Sequence, residues 1–74
     1  MGYIRYRKRR MAYTSVVLGD GRVESITINL NSVCAFYKAE NEEYTMVMMN
    51  GGMLCLKCTI DDFEEVYNEY LNNI

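Results

Sequence analysis

Cys34, Cys55 and Cys58 are the residues with the widest chemical range in this sequence, because histidine is absent altogether. Cys55-Leu56-Lys57-Cys58 has the C-x-x-C spacing of redox pairs and zinc sites. A chelate or a disulfide at that spacing needs a turn. The segment instead reads as a β-strand, where an offset of three sends the two thiols to opposite faces. An odd cysteine count without secretory features fits reduced, packed thiols in a cytoplasmic location. No metal and no cofactor is expected. Ser15, Ser25 and Ser32 lack a histidine partner and any Gly-x-Ser-x-Gly or phosphate-cradling glycine pattern. The paired carboxylates Asp61/Asp62, Glu64/Glu65 and Glu42/Glu43 fall on an exposed helix face or a turn, where solvated charge accounts for them. These absences argue against an enzyme.

The strongest remaining feature is charge. Arg5, Arg7, Lys8, Arg9 and Arg10 hold five of the eight cations, whereas beyond them Arg22, Lys38 and Lys57 face ten carboxylates, leaving −7 on residues 11–74. Residues 1–10 thus form a basic leader or arm ahead of a single domain over 11–74. As a nucleic-acid arm, Tyr3, Arg5, Tyr6, Arg7, Lys8, Arg9 and Arg10 would supply phosphate contacts and two rings for base stacking. As a basic edge strand it would join the fold or touch a partner. As a leader it would reflect a purine-rich ribosome-binding sequence read in frame, with Met11 the natural start.

These side chains are positioned by a chain of 74 residues, enough for one core and no more. Ala12 to Leu18 reads as a strand closed by Gly19-Asp20-Gly21, a turn suited to positive dihedrals, and it returns through Arg22 to Leu30. Ile26, Ile28 and Leu30 share one face of that return. Val33 to Lys38 alternates Val33, Ala35 and Tyr37 against Cys34, Phe36 and Lys38. Tyr44 to Met49 and Met53 to Cys58 flank Asn50-Gly51-Gly52, the clearest hairpin signal. The period then lengthens: Thr59 caps a helix with Asp62 three residues on, and Phe63, Val66, Tyr67, Tyr70, Leu71 and Ile74 form an apolar stripe. The fold class is therefore α+β, with about five antiparallel strands in a twisted sheet or half-barrel and one C-terminal amphipathic helix.

One helix covers one face of such a sheet. Yet Tyr44, Met46 and Met48 oppose Thr45, Val47 and Met49, and Leu54, Leu56 and Cys58 oppose Met53 and Cys55, so both faces are apolar. Either the sheet curls around its own core or a second copy covers it, and a homodimer or larger homo-oligomer is the preferred solution for so short a chain. Met46, Met48, Met49 and Met53 are the candidate interaction residues, since unbranched thioethers adapt to a partner. No apolar run is long enough for a membrane span, so no membrane association is expected.

The succession Ile26-Thr27-Ile28-Asn29-Leu30, Tyr44 to Met49, Asn50-Gly51-Gly52, Leu54 to Cys58 and the Phe63 to Tyr70 helix resembles the small flagellar FlbD-type proteins. Ile28 to Leu56 is also similar, more faintly, to the LytTR DNA-binding domain. The first resemblance implies a regulatory, partner-binding role without catalysis. The leading hairpin, the basic arm and the thiols depart from that pattern.

The reading that results is a noncatalytic protein-interaction or regulatory module that self-associates through its sheet. One alternative is a small phage or mobile-element inhibitor whose acidic body occupies a host nucleic-acid-binding or ligand site. Another is a nucleic-acid binder working through residues 1–10.

Overall fold

The computed structural model describes residues 3–73. Ile74, the last position of the helical stripe, and Met1 and Gly2 of the arm lie outside them. Six strands precede the helix: β1 (Ile4–Arg7), β2 (Met11–Val17), β3 (Val23–Asn29), β4 (Val33–Lys38), β5 (Thr45–Met49) and β6 (Gly52–Leu56), with a short 3-10 turn over Leu30–Ser32 and α1 over Ile60–Asn72. All pairings are antiparallel, and the class is α+β as the patterning predicts.

Strand β2 is the hub. One of its edges pairs with β3 along the whole strand. The other is shared end to end by β1, opposite Met11 to Thr14, and by β6, which joins where Val16 meets Leu56. A bond from the Lys57 N–H to the Ser15 carbonyl, 2.8 Å, extends that junction. From β6 the sheet continues through β5 to β4 and curls into a half-barrel around α1.

The helix begins where the residue types predict. The Thr59 hydroxyl accepts from the Asp62 N–H at 3.2 Å, and Asp61 and Asp62 sit at the positive end of the helix dipole. Phe63, Val66 and Tyr70 are its buried face. They meet Ala12 and Val16 of β2, Ile28 of β3, Val47 of β5 and Leu56 of β6 in one core. Phe36 of β4 closes over Phe63 and Tyr67, with ring centroids 4.7 and 5.5 Å away. The Tyr70 hydroxyl donates to Asn31 Oδ1 at 3.1 Å and ties α1 to the β3–β4 corner.

Two departures from simple patterning matter. Strict alternation places Val33 and Phe36 on opposite faces, but the β4–β5 register slips between Val33 and Ala35, and both residues pack against the core. The bulge absorbs one residue, Cys34, and resets the alternation. The other departure is β1, a sixth strand where patterning gave about five. Ile4 and Tyr6 pack against the core, and α1 lies against this strand.

Candidate functional site

What the strands assemble is the outward face of the sheet, and it has two halves. Its composition follows from register, since directly opposed residues share a face.

The apolar half spans β4, β5, β6 and the far end of the β2–β3 hairpin. Tyr37 opposes Met46, Met46 opposes Cys55, and Val17 opposes Val23. The pairing of Val16 with Leu56 carries Val17 alongside Cys55, which joins these pairs into one row across five strands. A second row runs from Ala35 to Met48 to Met53. Tyr37 is 51% exposed, and Val23, Met48 and Met53 are each 45% exposed, while Val17, Met46 and Cys55 are half-buried. Neither row contains a formal charge. Of the methionines singled out by sequence, Met46, Met48 and Met53 meet here, whereas Met49 turns inward with Val47 and packs against the core.

The basic half spans β1, β2 and β3. Arg5 opposes Tyr13 and Tyr13 opposes Thr27; Arg7 opposes Met11 and Met11 opposes Asn29. Ser15 opposes Ser25, and the β1 register brings Tyr3 alongside Ser15. The Tyr3 ring centroid is 6.3 Å from that of Tyr13, and the Arg7 guanidinium lies over the Tyr13 ring at 5.3 Å, a cation–π contact. The β1–β2 turn is Lys8-Arg9-Arg10, in which Arg9 and Arg10 have φ of 67° and 69°. Tyr3, Arg5, Arg7, Lys8, Arg9 and Arg10 thus gather at one end of the sheet. Tyr6 does not join them, because its parity in β1 sends it toward the core.

Sequence reasoning missed Tyr13 as the aromatic partner of this half, and Tyr37, Val17 and Val23 as members of the other. Each lies in a strand that sequence identified, but only the pairing register reveals its neighbours. The alternation of β2 was the available signal for Tyr13: Ala12, Thr14 and Val16 are buried, and the odd positions face out.

The thiols fall into three environments. Cys34 is exposed on the β4 bulge, and its Sγ lies 3.4 Å from Asn50 Oδ1. Cys55 is half-buried in the apolar row, and burial raises its pKa. Cys58 is buried beyond the end of β6, and desolvation pushes its thiol up to about 11, against weaker downward effects of hydrogen bonds with Thr45 and Thr14. The strand expected to run through Cys58 stops at Leu56, and Lys57-Cys58 forms a bend, but Cys58 still turns into the core while Cys55 stays on the outer face. A cleft of about 430 Å³ opens between β3 and the tip of the β5–β6 hairpin, with Ile26, Ile28, Met49 and Leu54 in its walls. Its two walls, β3 and the β5–β6 hairpin, do not pair across the cleft: β3 pairs with β2, and β5 with β6. None of the N-terminal cations reaches it.

Comparison with protein-family models, curated proteins and solved structures returns no match, so the likeness to FlbD-type and LytTR proteins rests on residue patterning alone. Among the described residues no helix is long and apolar enough to cross a membrane.

Proposed function

We propose that this chain is a noncatalytic interaction module that self-associates through the apolar half of its outer sheet face and acts as a regulatory or adaptor component in a reducing, cytoplasmic setting. The observation that carries this reading is the uncharged strip from Tyr37 through Met46, Cys55 and Val17 to Val23, bordered by Ala35, Met48 and Met53. An apolar area of this extent on so small a domain is costly to leave wet. A second copy is the occupant best matched to it. A two-fold interface sets a patch against itself, so a charge near the axis would meet its own copy and one elsewhere would need an opposite charge within the same patch, and these rows contain none. Methionine and tyrosine are also suited to the task, because they give large contact area and adapt their rotamers to the opposing surface.

The test is sedimentation velocity across about 5 to 500 µM, a span chosen to bracket interfaces at the small end of the size range. The expected result is a concentration-dependent shift from monomer to dimer. Met48→Glu with Met53→Glu should hold the chain monomeric throughout, since each two-fold contact would then bury unpaired carboxylates. A wild-type chain that sediments as a monomer at every concentration contradicts the proposal.

A further inference from the structure

The basic half has an excess of charge that the fold does not neutralise. The three ion pairs among the described residues engage Arg22 with Asp20 and Glu24, and Lys38 with Glu42. Arg5, Arg7, Lys8, Arg9 and Arg10 have no carboxylate of the described residues within ion-pair distance. They lie close together on one hairpin, where like charges repel. The hairpin turn adds a second cost. Arg9 at φ 67° and Arg10 at φ 69° occupy the left-handed region, which glycine and asparagine enter more easily than a long side chain. Two arginines at consecutive strained positions serve the local fold poorly, and cations held against local stability point to an external anion.

The neighbouring side chains narrow the class of anion. Tyr3, Tyr13 and the Arg7 guanidinium form a stepped platform: the two rings are tilted by 46°, and the guanidinium covers one face of Tyr13, so a base would stack on Tyr3 or on the outer face of the guanidinium. Beside it the outward positions of β2 and β3 carry Ser15, Ser25 and Thr27, which donate and accept hydrogen bonds, while the Asn29 side chain is taken up in capping the 3-10 turn through the Asn31 N–H. Inorganic anions or an acidic peptide would use the cations and leave the rings without a role. An anionic membrane surface would engage the Lys8-Arg9-Arg10 cations through its headgroups and, like the inorganic anions, leave the rings and hydroxyls without a role. A duplex hides the faces of its bases within the stack. Unpaired bases use every part: rings and guanidinium for stacking, hydroxyls for base edges, and the tip for phosphates.

We infer that the outer face of β1, β2 and β3 is a binding site for single-stranded nucleic acid, with bases on the Tyr3, Tyr13 and Arg7 platform and the backbone along Arg5 and the Lys8 to Arg10 turn. The carboxylates of the rest of the chain repel a polyanion and so confine it to this end.

The experiment is fluorescence anisotropy of a labelled 15-nucleotide oligothymidylate, with the full chain titrated in at increasing NaCl. Binding should weaken with salt at a log–log slope of roughly −2 to −3.5, for about three to five phosphate contacts. The duplex form of the oligonucleotide should bind at least about five-fold more weakly, the loss of one stacked base. Tyr3→Ala should reduce affinity for the single strand by about five-fold or more, and leave the duplex unaffected. Arg9→Gly with Arg10→Gly separates binding from folding. Glycine suits those dihedrals, so the thermal midpoint should hold or rise, while the salt slope falls by about 1.4 for two lost contacts. Absence of binding at low salt overturns the inference. Equal affinity for single strand and duplex, unchanged by Tyr3→Ala, also overturns it, because that is general polyanion adsorption. An Arg9→Gly/Arg10→Gly variant that remains folded and binds like wild type removes the turn from the site and overturns it as stated.

Discussion

The two halves of the outer sheet face are built from the same strand geometry and differ in what lies beneath them. Under the basic half, Thr14 is fully buried and its hydroxyl donates to the Tyr3 carbonyl, pinning the start of β1 to the hub strand. Under the apolar half, Thr45 is equally buried and its hydroxyl donates to the Cys58 carbonyl at 2.8 Å, fixing the chain where it leaves β6 for the helix. The first bond holds a peripheral strand whose outer residues carry charge; the second holds the centre of the core. So the basic half depends on one added strand, Ile4–Arg7, while the apolar half lies on the reverse side of the strands that make the core. A cationic surface can thus be added at a sheet's margin, whereas an apolar outer face on central strands must be selected residue by residue.

Deleting residues 1–10 gives the largest expected effect on that comparison. It removes Ile4 and Tyr6 from the core along with the β1 pairing, and urea denaturation should show a loss of roughly 3–5 kcal/mol, in the range of a large core truncation. A truncated chain as stable as wild type would mean that β1 is not integral to the domain. By contrast, Met48→Glu with Met53→Glu should alter monomer stability by less than about 0.5 kcal/mol per site, as substitutions on exposed positions do.

The buried threonines sharpen the contrast. Thr14→Val and Thr45→Val each leave a carbonyl short of its donor and should cost about 1–3 kcal/mol by the same denaturation measurement. Hydrogen exchange tells them apart: Thr14→Val should raise exchange in β1 with little change in β5 and β6, and Thr45→Val should raise it across the core. Matching exchange patterns for the two variants would show that β1 and the core open as one unit.

The thiols provide a smaller, local readout. Alkylation should proceed fastest at the exposed Cys34, more slowly at Cys55 and at Cys58 only on global opening. Because the folded Cys58 thiol has its pKa raised to about 11 from 9.0, its contribution to stability is intact below pH 9 and is lost as pH rises from there toward 11. Cys58→Ala should flatten that alkaline decline, and an unchanged decline would place its source elsewhere. The smallest effect belongs to Asp20, whose carboxyl is held below its usual value by hydrogen bonds from the Arg22 N–H and guanidinium in an exposed turn. Its contribution is present above the unfolded pKa and is lost as pH falls through the depressed one, so Asp20→Asn should shift the acid limb only slightly.

Much of this architecture was legible from residue types. The Asp20-Gly21 turn appears with Gly21 at φ 89°, Asn50-Gly51 joins β5 to β6, and the Thr59 cap starts the helix. Those signals are local, and each acts through its own backbone. The parity of β5 was readable, but with both of its faces apolar the sequence did not show which one is inward, and Met49 goes to the core while Met46 and Met48 face out. β1 was harder: Ile4-Arg5-Tyr6-Arg7 does alternate, but its cations read as an arm, and only the Ile4 and Tyr6 contacts show that the apolar members set its place. The β4 bulge was illegible, since nothing in Val33-Cys34-Ala35 marks the extra residue. The candidate surfaces depend on register between strands distant in sequence, such as Val17 beside Cys55, and a residue-by-residue pattern carries no information on that.

The division of the outer face is tested most directly by methyl NMR of methionine-labelled protein over a dilution series. The account predicts that Met46, Met48 and Met53 shift with concentration, while Met11 in the basic half and the inward-facing Met49 stay fixed. Methyl signals that are all independent of concentration, or a shift centred on Met11, would contradict it.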